Sequence, residues 1–400
     1  MGKLHVAIVG AGLGGLALAQ ALKRGGVAVD VFESDKALSS RPQGYRIRID
    51  AHGQQALART LAPELYDLFR GSVSTSATSG NFLTPNLQPA SGRVPESWHA
   101  DGVAADVSVN RRTLREILMH GIEDHVHFDR AFEQYSVTHD GRVEVRFRQD
   151  VPTVTCDVLV GADGINSRVR CQLAPETEPI DTGAVCFYGK TDLERLGNDL
   201  SGFEGTNIVF ADGFAAILDH MQFDHEFLAV QCTALNCKIT PTSDYLYWCL
   251  IGPYARFEVG PNRQMDPDGI RNAILSVTRD WHPSLRRILQ QSEAEDTAML
   301  SIRSGRPEVL WPVGAATLLG DAIHAMTPAG GLGANTALAD AACLADAILK
   351  ADRGVLSVPS ALEQYEGAMR ERAVVAVETS NHGAAKLFEP AAPGDQQRVS

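Results

Sequence analysis

Between two short apolar runs near the start of this 400-residue chain, at 3–9 and 27–32, lies Gly10-Ala11-Gly12-Leu13-Gly14-Gly15, and the second run closes on Glu33. No other stretch limits the fold as tightly. The first run is apolar and branched, as a buried parallel strand requires. Residues 13–22 carry apolar side chains at helical spacing, and Gly25-Gly26 stops them. The order is therefore strand, glycine turn, helix, strand, acid. Gly10 permits the tight turn, Gly12 leaves room for a pyrophosphate against the backbone, and Gly15 lets the helix lie close on the sheet. The helix start offers unpaired N–H groups and the positive end of its dipole to phosphates. Glu33, 23 residues after Gly10, is placed to accept from ribose hydroxyls and to repel a 2′-phosphate. With strand, helix and acid all present, the segment reads as a dinucleotide site, for NAD or FAD.

A comparable plan occurs twice more. Residues 154–170, VTCDVLVGADGINSRVR, bring an apolar strand to a turn with Asp163-Gly164, followed by Arg168 and Arg170. Residues 313–319, VGAATLL, lead into GDAIHAMTPAGGLGAN at 320–335, after which TALADAACLADAILKA has the pattern of a helix. In this order and at these distances the three turns resemble the fingerprints of the class A, single-component flavoprotein monooxygenases, the family of para-hydroxybenzoate, salicylate and tetracycline hydroxylases. The resemblance spans residues 3–350 and is weaker over 175–295.

The resemblance implies FAD as cofactor, NADH or NADPH as electron donor, and dioxygen adding at flavin C4a as a hydroperoxide that oxygenates an aromatic or polyketide-like molecule. Hydroxylation, epoxidation and Baeyer–Villiger insertion stay open, as does flavin-dependent reductase or oxidase chemistry on a small hydrophobic molecule. Gly10, Gly12, Gly15 and Glu33, with Leu13, Gly14 and Ser34 beside them, would hold the adenosine half of FAD. Asp321, after Gly320, would bond the ribityl chain or pyrophosphate, with Asp163 supporting that region. Arg111, in NRRTLREIL, would reach toward the flavin. Pro328 matches the family's proline beside C4a. The glycines of the late turn, Gly330, Gly331 and Gly333, leave no side chains to keep backbone from the ring edge. The helix starting near Gly333, Ala334 and Asn335 would aim its N–H groups at the negative charge of reduced flavin. His324 is a structural or cofactor-side residue in the family; as a general base it lacks a paired acid visible in the sequence.

The rest of the chain frames that site. Asp140-Gly141 marks a hairpin within 124–149, and runs such as GAVCFYGK, NIVFADGFAAIL, EFLAVQC and YLYWCLIG suggest an antiparallel sheet without helical crossovers over 175–290. The expected fold is α/β with α+β character. It comprises a Rossmann-like FAD-binding domain (1–172 plus 296–355), an inserted antiparallel-sheet substrate domain (173–295), and a C-terminal helical segment (356–400). GYRIRID at 44–50 alternates, so Arg46 and Arg48 share a face. Arg46 stands where the family has a small residue, and either turns to solvent or meets an anionic or phenolate-like substrate. Phe187, Tyr188, Phe210, Phe214, Phe223 and Tyr247 are candidates for a pocket lining a flat substrate.

Composition narrows the alternatives. The net charge of −13 argues against nucleic-acid or anionic-membrane partners. Beyond the first 25 residues, no run reaches the roughly 18 apolar residues of a membrane span. Seven cysteines without C-x-x-C or nearby histidines at ligand spacing point away from a metal site and toward a reducing cytoplasm. The opening residues resemble a signal peptide in Lys3, an apolar stretch and small residues around Ala19 and Ala21, but their glycine spacing would be wasted on a discarded leader. A monomer or homodimer is expected.

Overall fold

Strands buried on both faces are apolar at consecutive rather than alternate positions, and His5–Val9 (HVAIV) and Val158–Gly161 (VLVG) form the middle of such a sheet. The computed structural model describes residues 3–38, 40, 45–76, 80–90, 104–148, 151–197, 203–261 and 263–388. Five strands lie in the order Ala316–Leu318, Val158–Gly161, His5–Val9, Ala28–Phe32, Val126–His127, and every pairing is parallel. Helix Leu13–Arg24 covers the sheet and packs on helix Gly333–Asp352. Gly14 eases that approach, because a Cβ there would stand 3.2 Å from Ala337 O of the facing helix, and 2.7 Å from Leu319 Cδ1 at the end of the strand Ala316–Leu318.

The second unit is a six-stranded sheet in the order Ala298–Ser304, Ile180–Asp192, Tyr245–Pro253, Ala215–Met221, Thr206–Phe210, Gly80–Leu83. Its pairings are antiparallel except the last, which is parallel. One face, with Phe187, Phe214, Trp248 and Leu250, packs on helices Pro267–Val277 and Pro283–Gln290. The other gathers Cys186, Phe210, Cys249, Ile251 and Ile302 with Leu387, Phe388 and Ala329. Those last three belong to the C-terminal helix Val358–Phe388 and to the late glycine turn. The sheet therefore draws strands from outside 173–295 on both sides.

Two sequence expectations change in this region. EFLAVQC, read as strand-like, lies in helix His225–Leu235, whose N-terminus is capped by the Asp224 carboxylate accepting from Phe227 N (2.9 Å). A short apolar run does not separate a strand from a half-exposed helix, and here the cap decides. In 124–149 the turn at Gly141 is real, with φ +83°, but its first arm begins at Phe132; Val126–His127 instead extends the parallel sheet. All seven cysteines are unpaired. Among the described residues no helix is long and apolar enough to cross a membrane.

Candidate active site

Parallel strands with the same sense end on the same edge of their sheet. The strands ending at Val9, Gly161 and Leu318 are neighbours, so the three glycine turns that follow them lie side by side. Their contact is direct. Gly10 has φ +110°, and a Cβ on it would meet Ala162 O at 2.3 Å, so the middle turn is seated on the early one. A Cβ at Gly15 would meet Gly10 O at 2.2 Å, whereas one at Gly12 would find nothing within 4 Å. Helix Leu13–Arg24 starts there without a side-chain cap.

Glu33 is buried and shapes this turn. One carboxylate oxygen accepts from Ala11 N (2.9 Å), the other from Ser34 Oγ and Asp35 N (3.0 Å each). The sequence reading missed Arg115, whose buried guanidinium donates twice to Ala11 O, at 3.1 and 2.9 Å. Its signal was present: Arg115 follows Arg111 by one helical turn in helix Arg111–Met119, so both lie on one flank. Arg111 donates its backbone N–H to Tyr45 O (2.9 Å), and its charge opposes the upward shift of the Asp321 carboxyl.

In the middle turn the Asp163 carboxylate accepts from Ser167 Oγ (2.5 Å) and Arg168 N (2.7 Å), fixing the Ser167 side chain that caps the helix Arg168–Leu173. Arg168 is exposed, but Arg170 is buried and donates to Ile165 O (2.9 Å) and Ala322 O (3.0 Å). It ties the middle turn to the late one.

The late turn is held by distant side chains. Gly320 has φ +63°; Asp321 after it reaches the surface, its carboxyl raised by the protein atoms that desolvate it, against the pull of His324 and Arg111. His324 is fully buried, with Nε2 2.5 Å from Asp340 Oδ2. Asp340 also accepts from Gly320 N (3.2 Å) and from Arg372 Nη2 (2.8 Å) of the C-terminal helix. The acid partner missing from the sequence reading is thus Asp340. Burial lowers the His324 pKa, and the Asp340 charge and hydrogen bond, helped by Asp321, outweigh it, so the net shift is upward. Sealed from the cleft, the ring braces the turn. Asn335, also buried, accepts from Asp50 N (3.1 Å) and donates to Arg48 O (3.0 Å) and Gly331 O (2.9 Å). Its side chain is thereby engaged, while helix Gly333–Asp352 begins without a side-chain cap. Pro328 is exposed, and Gly331, at φ +64°, lies beside Arg48.

Opposite these turns stands the inner face of the six-stranded sheet. Of the six aromatic candidates, Tyr188, Phe210 and Tyr247 belong to it. Phe187 and Phe214 are core on the outer face, and Phe223 sits with Met221 and Tyr245 in a separate cluster. Cys186, Cys249, Phe82 and Ile217 join the inner face without having been singled out. Burial raises the Tyr247 phenol, with Arg46 opposing. Arg46 turns neither to solvent nor to open space: its Nε lies 2.5 Å from Asp219 Oδ2 and 3.1 Å from Ser108 Oγ.

These residues fit a flavin dinucleotide. The open space beside Gly12, the Arg115 charge behind Ala11 and the uncapped helix start suit a pyrophosphate; a second uncapped start at Gly333 suits an electron-rich ring. Residues 189–380 match the family model described as FAD binding domain, and residues 8–70 one described as NAD(P)-binding Rossmann-like domain. The dual O-methyltransferase/FAD-dependent monooxygenase CTB3 of Cercospora beticola is 31% identical over 414 residues, covering 96% of this chain and 46% of that protein. Over nearly its whole length the chain is similar to FAD-dependent monooxygenases. The aurachin C monooxygenase/isomerase of Stigmatella aurantiaca is 27% identical, with 92% of this chain and 86% of that one covered. A solved chain from Photorhabdus luminescens subsp. laumondii, described as an FAD-containing monooxygenase, superposes with a TM-score of 0.79 at 26% identity, covering 99% of this chain and 100% of that one. The chain spans about half the length of CTB3 and its fungal counterparts.

Proposed function

We propose that this chain is an FAD-dependent monooxygenase that takes electrons from NADH or NADPH and inserts one atom of dioxygen into an aromatic or polyketide-like small molecule, releasing the other as water. The observation that carries this reading is the convergence of three glycine turns on one sheet edge, opposite an apolar and aromatic sheet face. FAD, when bound, supplies the electron transfer and oxygen activation.

The chain's residues bind, orient and exclude water. Gly10, Gly12, Leu13, Gly14 and Gly15 shape the pyrophosphate turn, with Arg115 adding positive charge behind Ala11. Glu33 and Ser34 would hold the adenosine ribose. Arg111, Asp163, Gly320 and Asp321 would hold the ribityl region. Pro328, Gly331, Gly333, Ala334 and Asn335 would bring backbone to the ring, with Asn335 positioning through its side chain. His324 holds the turn rather than moving a substrate proton. No side-chain base is needed on this reading, since positioning and a dry apolar face suffice. Seven unpaired cysteines support assignment to the reducing cytoplasm.

Purified protein should be yellow, and NAD(P)H oxidation should rise with a productive phenolic or polyketide compound. Under ¹⁸O₂ the product should gain one labelled atom. Turnover that reduces or oxidises the organic substrate without incorporating label would replace the proposal with a flavin reductase or oxidase.

A further inference from the structure

We propose that the cleft selects an uncharged substrate, and that Asp219 enforces this by closing the Arg46 cation that would otherwise receive a carboxylate. The inference rests on the proposed function and names the substrate class of the same site.

Strand register lays out the wall. Lys190, Tyr247, Asp219 and Thr206 are cross-strand partners in one row; Tyr188, Cys249, Ile217 and Ile208 form the next; Cys186, Ile251, Ala215 and Phe210 the third. Because strand side chains alternate, these rows share one face. The wall is apolar toward Ala329 and Leu387 and polar toward the strand Arg46–Ile49.

At the polar end each of three cations meets a carboxylate. Arg46 pairs with Asp219, their side chains only 12% and 4% exposed. Ser108 Oγ donates to Asp219 Oδ2 (2.8 Å) and Thr206 Oγ1 to Oδ1 (3.0 Å), so both carboxylate oxygens are fixed. Arg48 pairs with Asp106, and Lys190 with Asp296 at 3.6 Å. A ligand carboxylate would have to displace Asp219 from a half-closed site or lie against its charge, and either is unfavourable. A neutral ring system bearing a hydroxyl or carbonyl avoids both, with its apolar body along the Cys186 and Tyr188 rows. The closed pair thus works as rejection of anions, not as recognition of them.

The test compares matched probes, 2-naphthol and 3-hydroxy-2-naphthoate, on the full chain supplied with FAD. Binding is read by calorimetry as well as by perturbation of flavin absorbance, so a flavin-free preparation still reports on it. Wild type should bind the neutral probe at least tenfold more tightly. Asp219→Asn should narrow that ratio at least tenfold by gaining affinity for the carboxylate, and adding Arg46→Gln should abolish the gain. A wild-type preference for the carboxylate, no detectable binding of either probe, or an Asp219→Asn ratio equal to wild type would each overturn the inference. If Asp219→Asn does not fold, the wild-type ratio alone decides. Failure to retain flavin, by contrast, strikes the monooxygenase reading itself.

Discussion

The early and late glycine turns do similar work with different means. Residues 10–15 are held by their own backbone geometry, by Glu33 at the end of the next strand, and by Arg115. Residues 320–335 are held by Asp340 and Arg372, farther along the chain, and by Asn335 reaching back to Arg48 and Asp50. The first turn is a local solution that glycine makes available. The second is a network whose members must be brought together by two packed helices.

Substitutions can separate the two designs. The largest effect is expected for Gly10→Val. A left-handed backbone costs an ordinary residue roughly 1–2 kcal/mol, and the Cβ would also collide with Ala162 O at 2.3 Å. The protein should retain no stoichiometric flavin, read from absorbance per chain. Next is Asp340→Asn, which leaves Arg372 and His324 without their carboxylate. Breaking a buried pair costs about 3–5 kcal/mol, measurable by urea unfolding, and hydrogen exchange should quicken at 320–335 but not at 10–15. Equal loosening of both turns would break the comparison.

The same network has a pH signature. Because the folded His324 is held above its ordinary 6.5, its stabilising contribution is complete below that value and fades as pH rises through the raised one. In Asp340→Asn that loss of stability with rising pH should vanish from unfolding curves. Asn335→Ala removes the acceptor of the Asp50 N–H and the donor to the Arg48 and Gly331 carbonyls, a loss of about 1–3 kcal/mol, and should weaken flavin binding in titrations of apoprotein. Smallest is Ser167→Ala, which removes the hydroxyl that accepts from Arg170 N (2.9 Å). Loss of a cap costs about 1 kcal/mol, seen as a slight fall in the unfolding midpoint.

Much of the cofactor half was legible because its signals are short-range. A glycine at φ +110° or an apolar run of five residues announces itself within its own segment. The substrate half was less so. Phe187 and Tyr188 are adjacent and equally aromatic, yet they face opposite sides of the sheet; their composition contains nothing that assigns the side. Arg46 was left between solvent and substrate because its partner, Asp219, lies in a strand of the other sheet. His324 lacked a visible acid because Asp340 comes within 2.5 Å only when helix Gly333–Asp352 packs against its turn.

Sequence by itself determined the three strand-and-turn units, the acid at Glu33, and the uncapped helix starts, since each depends on steric freedom and periodicity over a few residues. Tertiary structure alone decided that the turns share one edge, that the Arg46 charge is closed, and which aromatic rings lie on the inner sheet face. Those outcomes depend on strand order and register, where contacts between residues far apart in the chain outweigh any local preference.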